Sequence, residues 1–340
     1  MNKYSWPLVC LIVGILLGVF INKQISLGAS SSSYANSGTT GSTDVREGET
    51  SSSLINPLLE CNYGQDYIAA NSIFPFKSKI QAVIDSETAK GDMSYAGFYF
   101  ADLNAGSWFG INSSDDFRPA SLLKVPLMMS FLKKEDDKPG TLNQVVTYDG
   151  SNLDASQNIP PEEQVVSGQK YTIWQLLQYS IEYSDNKATS QLFELADNND
   201  LNNLYQTLGI DLPANNNPLA NFISLRQYAS FFQILFNSSY FDSDLSEKAL
   251  NLLINVDFKN GIVGGVPSGI KVAHKFGETT DAQTGADELY DCGIVYYPEK
   301  PYLICITTKG STFSGLEKAI QAISTATYNE VDKQVKNLGV

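Results

Sequence analysis

The sequence predicts an α+β fold in which one antiparallel sheet is flanked by helices, with an all-helical subregion in the middle of the chain. Three observations lead to it. Two strand-like segments stand near the start of the folded part, two more stand near its end, and the segments between them have helical periodicity. We therefore expect the first and last strands to share one sheet that helices cover.

The N-terminal elements follow from apolar spacing and turn residues. Apolar residues along 73–89 recur at helical intervals, and residues 95–103 form a strand rich in aromatic side chains. The turn signal Asn104-Ala105-Gly106 separates this strand from a second one at 108–111. These elements predict one helix followed by a hairpin.

The middle of the chain has the periodicity of successive helices. The predicted helices cover residues 121–132, 171–183, 187–195, 225–236 and 245–256. Two strands then follow at 288–297 and 302–308, joined by a Pro-Glu-Lys-Pro turn, and a helix over 316–336 ends the chain. No internal repeat is present.

Composition limits the classes of protein that the chain can represent. Its 340 residues, 43% hydrophobic and 18% charged, suit one sizeable globular domain. The net charge of −14 and the lack of basic runs argue against nucleic-acid binding. A single histidine excludes a multi-histidine metal site, and four cysteines without a Cys-x-x-Cys pair argue against zinc. We expect no metal and no cofactor.

The N-terminal region predicts targeting to a membrane. Residues 1–25 read as a signal-anchor or signal peptide, and residues 26–55 as a flexible tether rich in Ser, Gly and Thr. No small-x-small cleavage site follows the apolar run, which favours an uncleaved anchor. We expect the domain at 56–340 to lie outside the cytoplasm at the cell membrane, or to be secreted if the anchor is cleaved.

That compartment permits disulfides, which bears on three of the four cysteines. Cys61, Cys292 and Cys305 all lie beyond the predicted anchor. Cys292 and Cys305 stand on neighbouring predicted strands, where they are either disulfide partners or buried free thiols.

The motif Ser121-x-x-Lys124 predicts a serine nucleophile with a lysine base. Serine needs an adjacent base to attack, and residues three apart on a helix lie on one face. A buried lysine amine can act as that base when it is neutral. Five serines match Ser-x-x-Lys, but Ser121 alone follows the hairpin and opens an apolar helix, where backbone N–H groups can stabilise an oxyanion.

Two further polar motifs follow in the chain. Ser184-Asp185-Asn186 interrupts two helices, where Ser184 can relay a proton and Asn186 can bind a substrate amide; alternatively, the motif only caps the next helix. Lys275-Phe276-Gly277 precedes the C-terminal strands, and its lysine either holds a substrate carboxylate or is an exposed strand residue. Glycine at this place allows close approach to the backbone.

Taken together and in this order, the three motifs resemble those of the penicillin-recognising serine hydrolases, especially class A β-lactamases and their penicillin-binding relatives, from about Tyr95 to the C-terminus. The resemblance implies a β-lactamase/transpeptidase-like fold. It implies that Ser121 is acylated, that Lys124 is its base and that Ser184 relays the proton.

The resemblance also implies how a substrate is held. Asn186 positions the substrate, Lys275 attracts its carboxylate, and Gly277 lets it approach β-strand backbone. The oxyanion hole is formed by the backbone N–H groups of Ser121 and Glu278.

The chain departs from the family pattern in two places. Phe276 replaces the Thr or Ser of the third motif, so a hydroxyl that helps to hold a carboxylate is missing unless Thr279 or Thr280 replaces it. The stretch 202–224 contains no glutamate to activate the deacylating water, and its only carboxylate is Asp211. We therefore expect slow deacylation.

The sequence thus predicts a serine acyl-hydrolase that forms an acyl-enzyme with β-lactams or D-Ala-D-Ala-type peptides of peptidoglycan. Two types remain open: a β-lactamase, or an enzyme of the D,D-carboxypeptidase or penicillin-binding type. The alternative is a non-catalytic module that binds cell-wall peptide on the same fold, which the two departures motivate.

Overall fold

The computed structural model describes residues 54–55, 73, 75–150, 157–212 and 222–338. The predicted signal-anchor and nearly all of the predicted tether lie outside the described residues. Within the described ranges, no helix is both long enough and apolar enough to cross a membrane.

A five-stranded sheet forms the centre of the fold, in the order β2-β1-β9-β8-β7, with every neighbouring pair antiparallel. Its strands are β1 Tyr95–Asp102, β2 Trp108–Ile111, β7 Val272–Thr280, β8 Asp287–Val295 and β9 Tyr302–Gly310. Two small antiparallel pairs are formed by β3 Asp116–Phe117 with β6 Ile223–Ser224, and by β4 Val145–Thr147 with β5 Lys170–Thr172. The first and last strands share one sheet, as predicted, and within it they pair directly.

Eight α-helices surround this sheet within the described residues. They are α1 Lys77–Lys90, α2 Lys124–Asp137, α3 Ile173–Glu182, α4 Asn186–Leu195, α5 Asn198–Thr207, α6 Leu225–Phe236, α7 Ser243–Ile254 and α8 Phe313–Leu338. Helices α1 and α8 pack on each other, and α2 to α7 form the helical subregion. The predicted α+β fold is therefore confirmed.

The helix starts near the site are fixed by their own side chains. Thr172 and Gln175 form a reciprocal capping box at the start of α3, and Ser224 and Gln227 form another at the start of α6. The core beneath them is rich in aromatic side chains, including fully buried Tyr228. These helices therefore enter the core at defined points.

Strand β7 is an edge strand, and it lies against the 3-10 turn Ala120–Leu123 that leads into α2. A Cβ added at Gly277 would lie 3.1 Å from the carbonyl oxygen of Pro119 and 3.2 Å from the backbone nitrogen of Leu122. Glycine at this position allows the strand and the turn to approach this closely. The first and third motifs meet at this contact.

Several elements differ from the sequence expectation: no bounds were predicted for strand β7, and the short strands β3 to β6 were not predicted. Helix α5 was not predicted, because its residues are mostly Asn, Asp and Gln and have few apolar positions. The helix expected to begin at Ser121 begins as a 3-10 turn and becomes α-helical only at Lys124. The turn matters because it carries the predicted nucleophile.

Cys292 and Cys305 are directly paired on β8 and β9 and form a disulfide, so they are partners rather than free thiols.

The N-terminal end of the described chain packs on the domain. Leu54 is buried, and its backbone donates to Glu247 (3.0 Å) and accepts from the hydroxyl of Tyr296 (3.0 Å). The packed part of the chain thus includes the end of the segment assigned to the tether.

Candidate active site

A cleft of ≈ 310 Å³ lies between the end of β7, the 3-10 turn before α2 and helix α4. Its walls are formed by Ala120, Ser121, Leu123, Lys124, Asn158, Asn186, Thr189, Phe193, Glu278, Thr279 and Thr280. Four of the seven predicted site residues are among them. The other three, Ser184, Lys275 and Gly277, are buried.

Ser121 is presented to this cleft by a constrained turn. Ala120, just before it, has φ 48, a left-handed conformation that costs a non-glycine residue of order 1–3 kcal/mol. The buried hydroxyl of Tyr228 donates to the carbonyl of Leu122 at 2.9 Å and anchors the turn from below. The backbone around the serine is therefore fixed before any substrate arrives.

Lys124 connects the first motif to the second. Its side chain is 3% exposed, and its Nζ lies 2.6 Å from the carbonyl oxygen of Ser184, 3.0 Å from Ser184 Oγ and 2.8 Å from Asn186 Oδ1. Burial lowers the pKa of the Lys124 ammonium well below its usual value, and the charge of Lys275 lowers it further. The neutral form of this amine is the one that can accept a proton from Ser121, which lines the same cleft.

The Ser-Asp-Asn motif forms the connection between α3 and α4, and its three residues do different work. Asp185 caps α4 by accepting from the backbone N–H of Lys187 at 2.8 Å, as the capping alternative expects. Ser184 has φ 57 and is 1% exposed. The cap by Asp185 and the left-handed backbone of Ser184 bring Ser184 and Asn186 into contact with Lys124. The motif therefore both caps α4 and forms part of the site.

Lys275 is a second lysine that contacts Ser184. It is fully buried, and its Nζ donates to Ser184 Oγ at 2.9 Å and lies 4.0 Å from the centre of the Phe276 ring. Burial lowers the pKa of Lys275 to about 7, against the opposing effect of Asp291, Asp257 and Glu278. It is therefore a buried strand lysine rather than an exposed one, and it does not line the cleft.

Phe276 occupies the place of the missing hydroxyl in the third motif. Its ring is 2% exposed and stacks on Phe258, with centroids 4.3 Å apart. Thr279 and Thr280 both line the cleft, and the hydroxyl of Thr279 accepts a hydrogen bond from the guanidinium of Arg118. Thr280 Oγ1 donates to Asp287 at 3.0 Å. The hydroxyls of Thr279 and Thr280, the two candidates to replace the missing one, thus both have protein partners.

Two residues of the site, Gln157 and Asn158, belong to none of the three motifs. The side chain of Gln157 donates to the carbonyl of Ser184 (3.1 Å) and accepts from the N–H of Asn186 (3.4 Å). Asn158 binds the carboxylate of Glu278 through its backbone N–H (3.0 Å) and its side-chain amide (2.6 Å). The one sequence signal was a polar loop before Ile159-Pro160-Pro161, which is typical of any surface connection.

The carboxylates of the site bear on deacylation. Of the described residues that line the cleft, Glu278 is the one acidic residue. Asp211 lies at the end of a described range and is not part of the wall, and residues 213–221 lie outside the described residues. In the part of the chain that the structure describes, no group of three or more His, Cys, Asp or Glu residues is arranged to hold a metal ion.

Known proteins are similar to this chain in sequence or in structure. Extended-spectrum β-lactamase PER-1 from Pseudomonas aeruginosa is 28% identical over 223 residues, which cover 60% of this chain and 71% of PER-1. A PBP-A variant solved as its acyl-enzyme complex with penicillin G matches with a TM-score of 0.64 and 21% identity, over 77% of this chain and 98% of that one. A class A β-lactamase from Bacteroides cellulosilyticus matches with a TM-score of 0.65 and 20% identity, over 76% and 98%.

The structural similarities establish the fold. The family is established by a sequence match to a whole protein family. The family described as the β-lactamase enzyme family matches residues 75–331, which is most of the chain and includes every motif of the cleft. The chain therefore belongs to the β-lactamase enzyme family of serine hydrolases.

Proposed function

We propose that this protein is a serine acyl-hydrolase in which β-lactams or D-Ala-D-Ala-type peptides acylate Ser121. One observation carries the proposal: a buried amine with a lowered pKa, Lys124, lines the same cleft as Ser121 and is hydrogen-bonded to Ser184, which is held in turn by Lys275. These contacts support a path for a proton from Ser121 through Lys124 and Ser184 to a leaving group.

In this mechanism neutral Lys124 removes the hydroxyl proton of Ser121 as its oxygen attacks the acyl carbon. The backbone N–H groups of Ser121 and Glu278 stabilise the oxyanion that forms. Lys124 then passes a proton to Ser184, which gives its own hydroxyl proton to the departing nitrogen. The bond between carbon and nitrogen breaks, and the acyl group remains on Ser121.

The roles of Asn186, Gly277 and Lys275 complete the proposal. Asn186 lines the cleft and positions the acyl amide of the substrate, while Gly277 allows the strand to approach the nucleophile turn. The positive charge of Lys275 attracts a substrate carboxylate. Because Lys275 is buried, its most direct effect is the hydrogen bond that it donates to Ser184.

Deacylation is proposed to be slow. The stretch 202–224 contains no glutamate, and Glu278 is the one acidic residue of the described cleft wall. Without a general base to activate water, an acyl-enzyme persists. This supports a penicillin-binding or D,D-carboxypeptidase type over an efficient β-lactamase, and nitrocefin separates them: a stoichiometric burst favours the former and steady hydrolysis the latter.

The decisive test is the intact mass of the protein after incubation with benzylpenicillin. We expect a covalent adduct on the peptide that contains Ser121, and none in the variant Ser121→Ala. Ser167→Ala is a matched control, because Ser167 also stands in a Ser-x-x-Lys sequence but bonds to Asp149 away from the cleft. No adduct with any β-lactam or acyl-D-alanine compound would favour the non-catalytic peptide-binding alternative.

We also propose that the domain works outside the cytoplasm, held at the membrane by residues 1–25. The disulfide between Cys292 and Cys305 supports an oxidising compartment, because disulfides persist mainly there. Digestion of intact cells with an external protease tests this: the domain should be released or degraded without lysis.

A further inference from the structure

Phe276 is the residue of the third motif to which the acylation mechanism gives no role. Its ring is buried, and Nζ of Lys275 lies 4.0 Å from the centre of that ring. An ammonium group within about 6 Å of an aromatic centroid is attracted by the negative face of the ring. The two neighbouring residues therefore form a cation–π pair in the interior of the protein.

The ring gives a buried ammonium group a partner in place of water. Lys275 is fully buried, and its side chain has three N–H donors. Among the described residues, the acceptor of its hydrogen bond is Ser184 Oγ, at 2.9 Å. Burial of a charge is costly unless other groups replace its hydration. The face of Phe276 is thus a second electron-rich partner of the same ammonium group that contacts Ser184.

A second aromatic ring holds Phe276 in place. The rings of Phe276 and Phe258 are stacked, with centroids 4.3 Å apart and an angle of 26° between their planes. A Cβ added at Gly261 would lie 2.9 Å from the ring of Phe258, so the backbone packs closely on this stack. The ring that contacts Lys275 is therefore fixed from the other side by the core.

The charge of Lys275 is opposed by burial and favoured by neighbouring carboxylates. Burial lowers its pKa to about 7, and the charge of Lys275 in turn lowers the pKa of Lys124. A charged Lys275 therefore favours the neutral Lys124 that acylation requires. The other titratable groups around Lys275 are Asp291 on β8, His274 on β7, which is bound to Asp291, Asp257 after α7, and Glu278 on β7.

We propose that Phe276 is a positioning residue for acylation, whose ring holds the ammonium group of Lys275 against Ser184 at the place where the family has a hydroxyl. Phe276 is not part of the cleft wall, so it acts through Lys275. This rests on the proposed function and adds a residue to it. The departure in the third motif is then a change in how Lys275 is held.

The test withdraws electrons from the ring without changing its shape. Phe276 is replaced by phenylalanine that carries one, two or three fluorine atoms, which weaken the attraction of the ring face for a cation. We expect the rate of acylation by benzylpenicillin at neutral pH to fall stepwise along the series, by about tenfold in total. Fluorine is little larger than hydrogen, so the fold is preserved.

The same series at Phe258 is the matched control. Phe258 is the other member of the stack, so fluorine there changes the stacking but leaves the ring beside Lys275 intact. We expect the acylation rate to remain unchanged. An equal loss in both series would assign the effect to the aromatic stack and overturn the role of the cation–π pair.

The pH profile of acylation separates this role from a loss of packing. A weaker cation–π pair destabilises the charged form of Lys275, so its pKa falls and its charge is lost at lower pH. We therefore expect the alkaline limb of the profile to move to lower pH as fluorine atoms are added at Phe276. A loss of packing alone would lower the rate by the same factor at every pH.

A double-mutant cycle measures the contact without any acylation. The unfolding equilibrium constants of the wild type, Phe276→Leu, Lys275→Met and the double variant give the coupling between the two side chains. At about pH 6, below the pKa of Lys275, we expect a coupling of about tenfold in this constant. At about pH 9 Lys275 is neutral, and the coupling should disappear.

The outcomes distinguish the two proposals. Equal rates across the Phe276 series overturn its positioning role and leave acylation itself intact. If no adduct forms in any protein but the coupling is present at about pH 6 and absent at about pH 9, the proposed acylation fails and with it the role of Phe276 in acylation, while the contact with Lys275 stands. If no adduct forms and no coupling is found, both the function and the contact are rejected.

Discussion

Two buried lysines meet at one serine hydroxyl, and this contact dominates the chemistry at the scale of single residues. Lys124 Nζ and Lys275 Nζ lie 3.0 Å and 2.9 Å from Ser184 Oγ. Both amines lose their hydration on burial, so both have lowered pKa values. The site therefore keeps an amine that can accept a proton near neutral pH.

Replacing Lys124 by arginine should abolish acylation. Arginine keeps the positive charge but is always protonated, so it cannot take the proton of Ser121. We expect the rate of labelling by a fluorescent penicillin to fall by roughly 10³-fold, within the range of general-base catalysis. Lys187→Arg is the matched control, because Lys187 follows Ser184 at the same spacing but is bound to Gln164 at the surface. Labelling of Lys124→Arg at the normal rate would exclude Lys124 as the base.

The lowered pKa of Lys275 also predicts how stability depends on pH. In the unfolded chain this lysine keeps its proton up to pH 10.5, whereas in the folded protein it releases it at about 7. The unfolded state therefore binds more protons between these values, and the free energy of unfolding rises with pH across that window and is insensitive to this group below it.

Lys275→Met should reduce that rise. Between pH 7 and pH 9 we expect the slope of unfolding free energy to fall by up to about 1.4 kcal/mol per pH unit relative to the wild type. Urea denaturation at several pH values measures it, with the exposed Lys271→Met as the control. A slope that is the same in all three proteins would show that Lys275 is not deprotonated in the folded state.

At this scale the sequence predicted the motif residues but not the residues that hold them. The spacing and order of the motifs were enough to name Ser121, Lys124 and Ser184. Gln157 and Asn158 were not identified, because a contact that spans 120 residues leaves no local pattern. The burial of Lys275 was also not predicted, because the local sequence of a strand does not show whether its lysine is exposed or buried.

Strand β7 and the 3-10 turn before α2 decide the geometry at the scale of elements. Gly277→Ala places a methyl group 3.1 Å from Pro119 O and 3.2 Å from Leu122, contacts that require the turn to move by a few tenths of an ångström. Because the turn carries Ser121, we expect acylation to slow by roughly tenfold to a hundredfold. The unfolding free energy should fall by about 1–3 kcal/mol.

The measurement follows labelling kinetics and thermal unfolding of the same preparation. Only the folded fraction is compared, so that lost stability is not mistaken for lost activity. Unchanged kinetics in a folded Gly277→Ala variant would mean that the close approach of strand and turn is dispensable.

Elements with apolar periodicity were predicted well, and polar elements were not. Strand β2 and helix α6 have the predicted bounds, because each buries a regular set of side chains. Helix α5 was missed because its stability comes from packing on its neighbours rather than from a strong apolar pattern. The 3-10 start of α2 depends on Tyr228, which is distant in sequence.

At the scale of the whole molecule, the disulfide between Cys292 and Cys305 ties together two central strands. The bond closes a separation of 13 residues, so its removal should cost about 3 kcal/mol of unfolding free energy in the chain-entropy account. Denaturant midpoints with and without dithiothreitol measure this. The double variant Cys292→Ala, Cys305→Ala should be insensitive to the reductant, and an equal effect on both proteins would assign the loss to another cause.

The shared hydroxyl of Ser184 has a consequence for proton binding by the site as a unit. Two amines that contact one oxygen repel each other when both are charged, so the second proton binds less readily than the first. Such a pair titrates in macroscopic steps that belong to neither lysine alone. The acid limb of the pH profile for the rate of Ser121 acylation would then move when Lys275 is replaced. An inhibitor with a cationic group near this pair would displace a proton from the lysines rather than add a charge to the site.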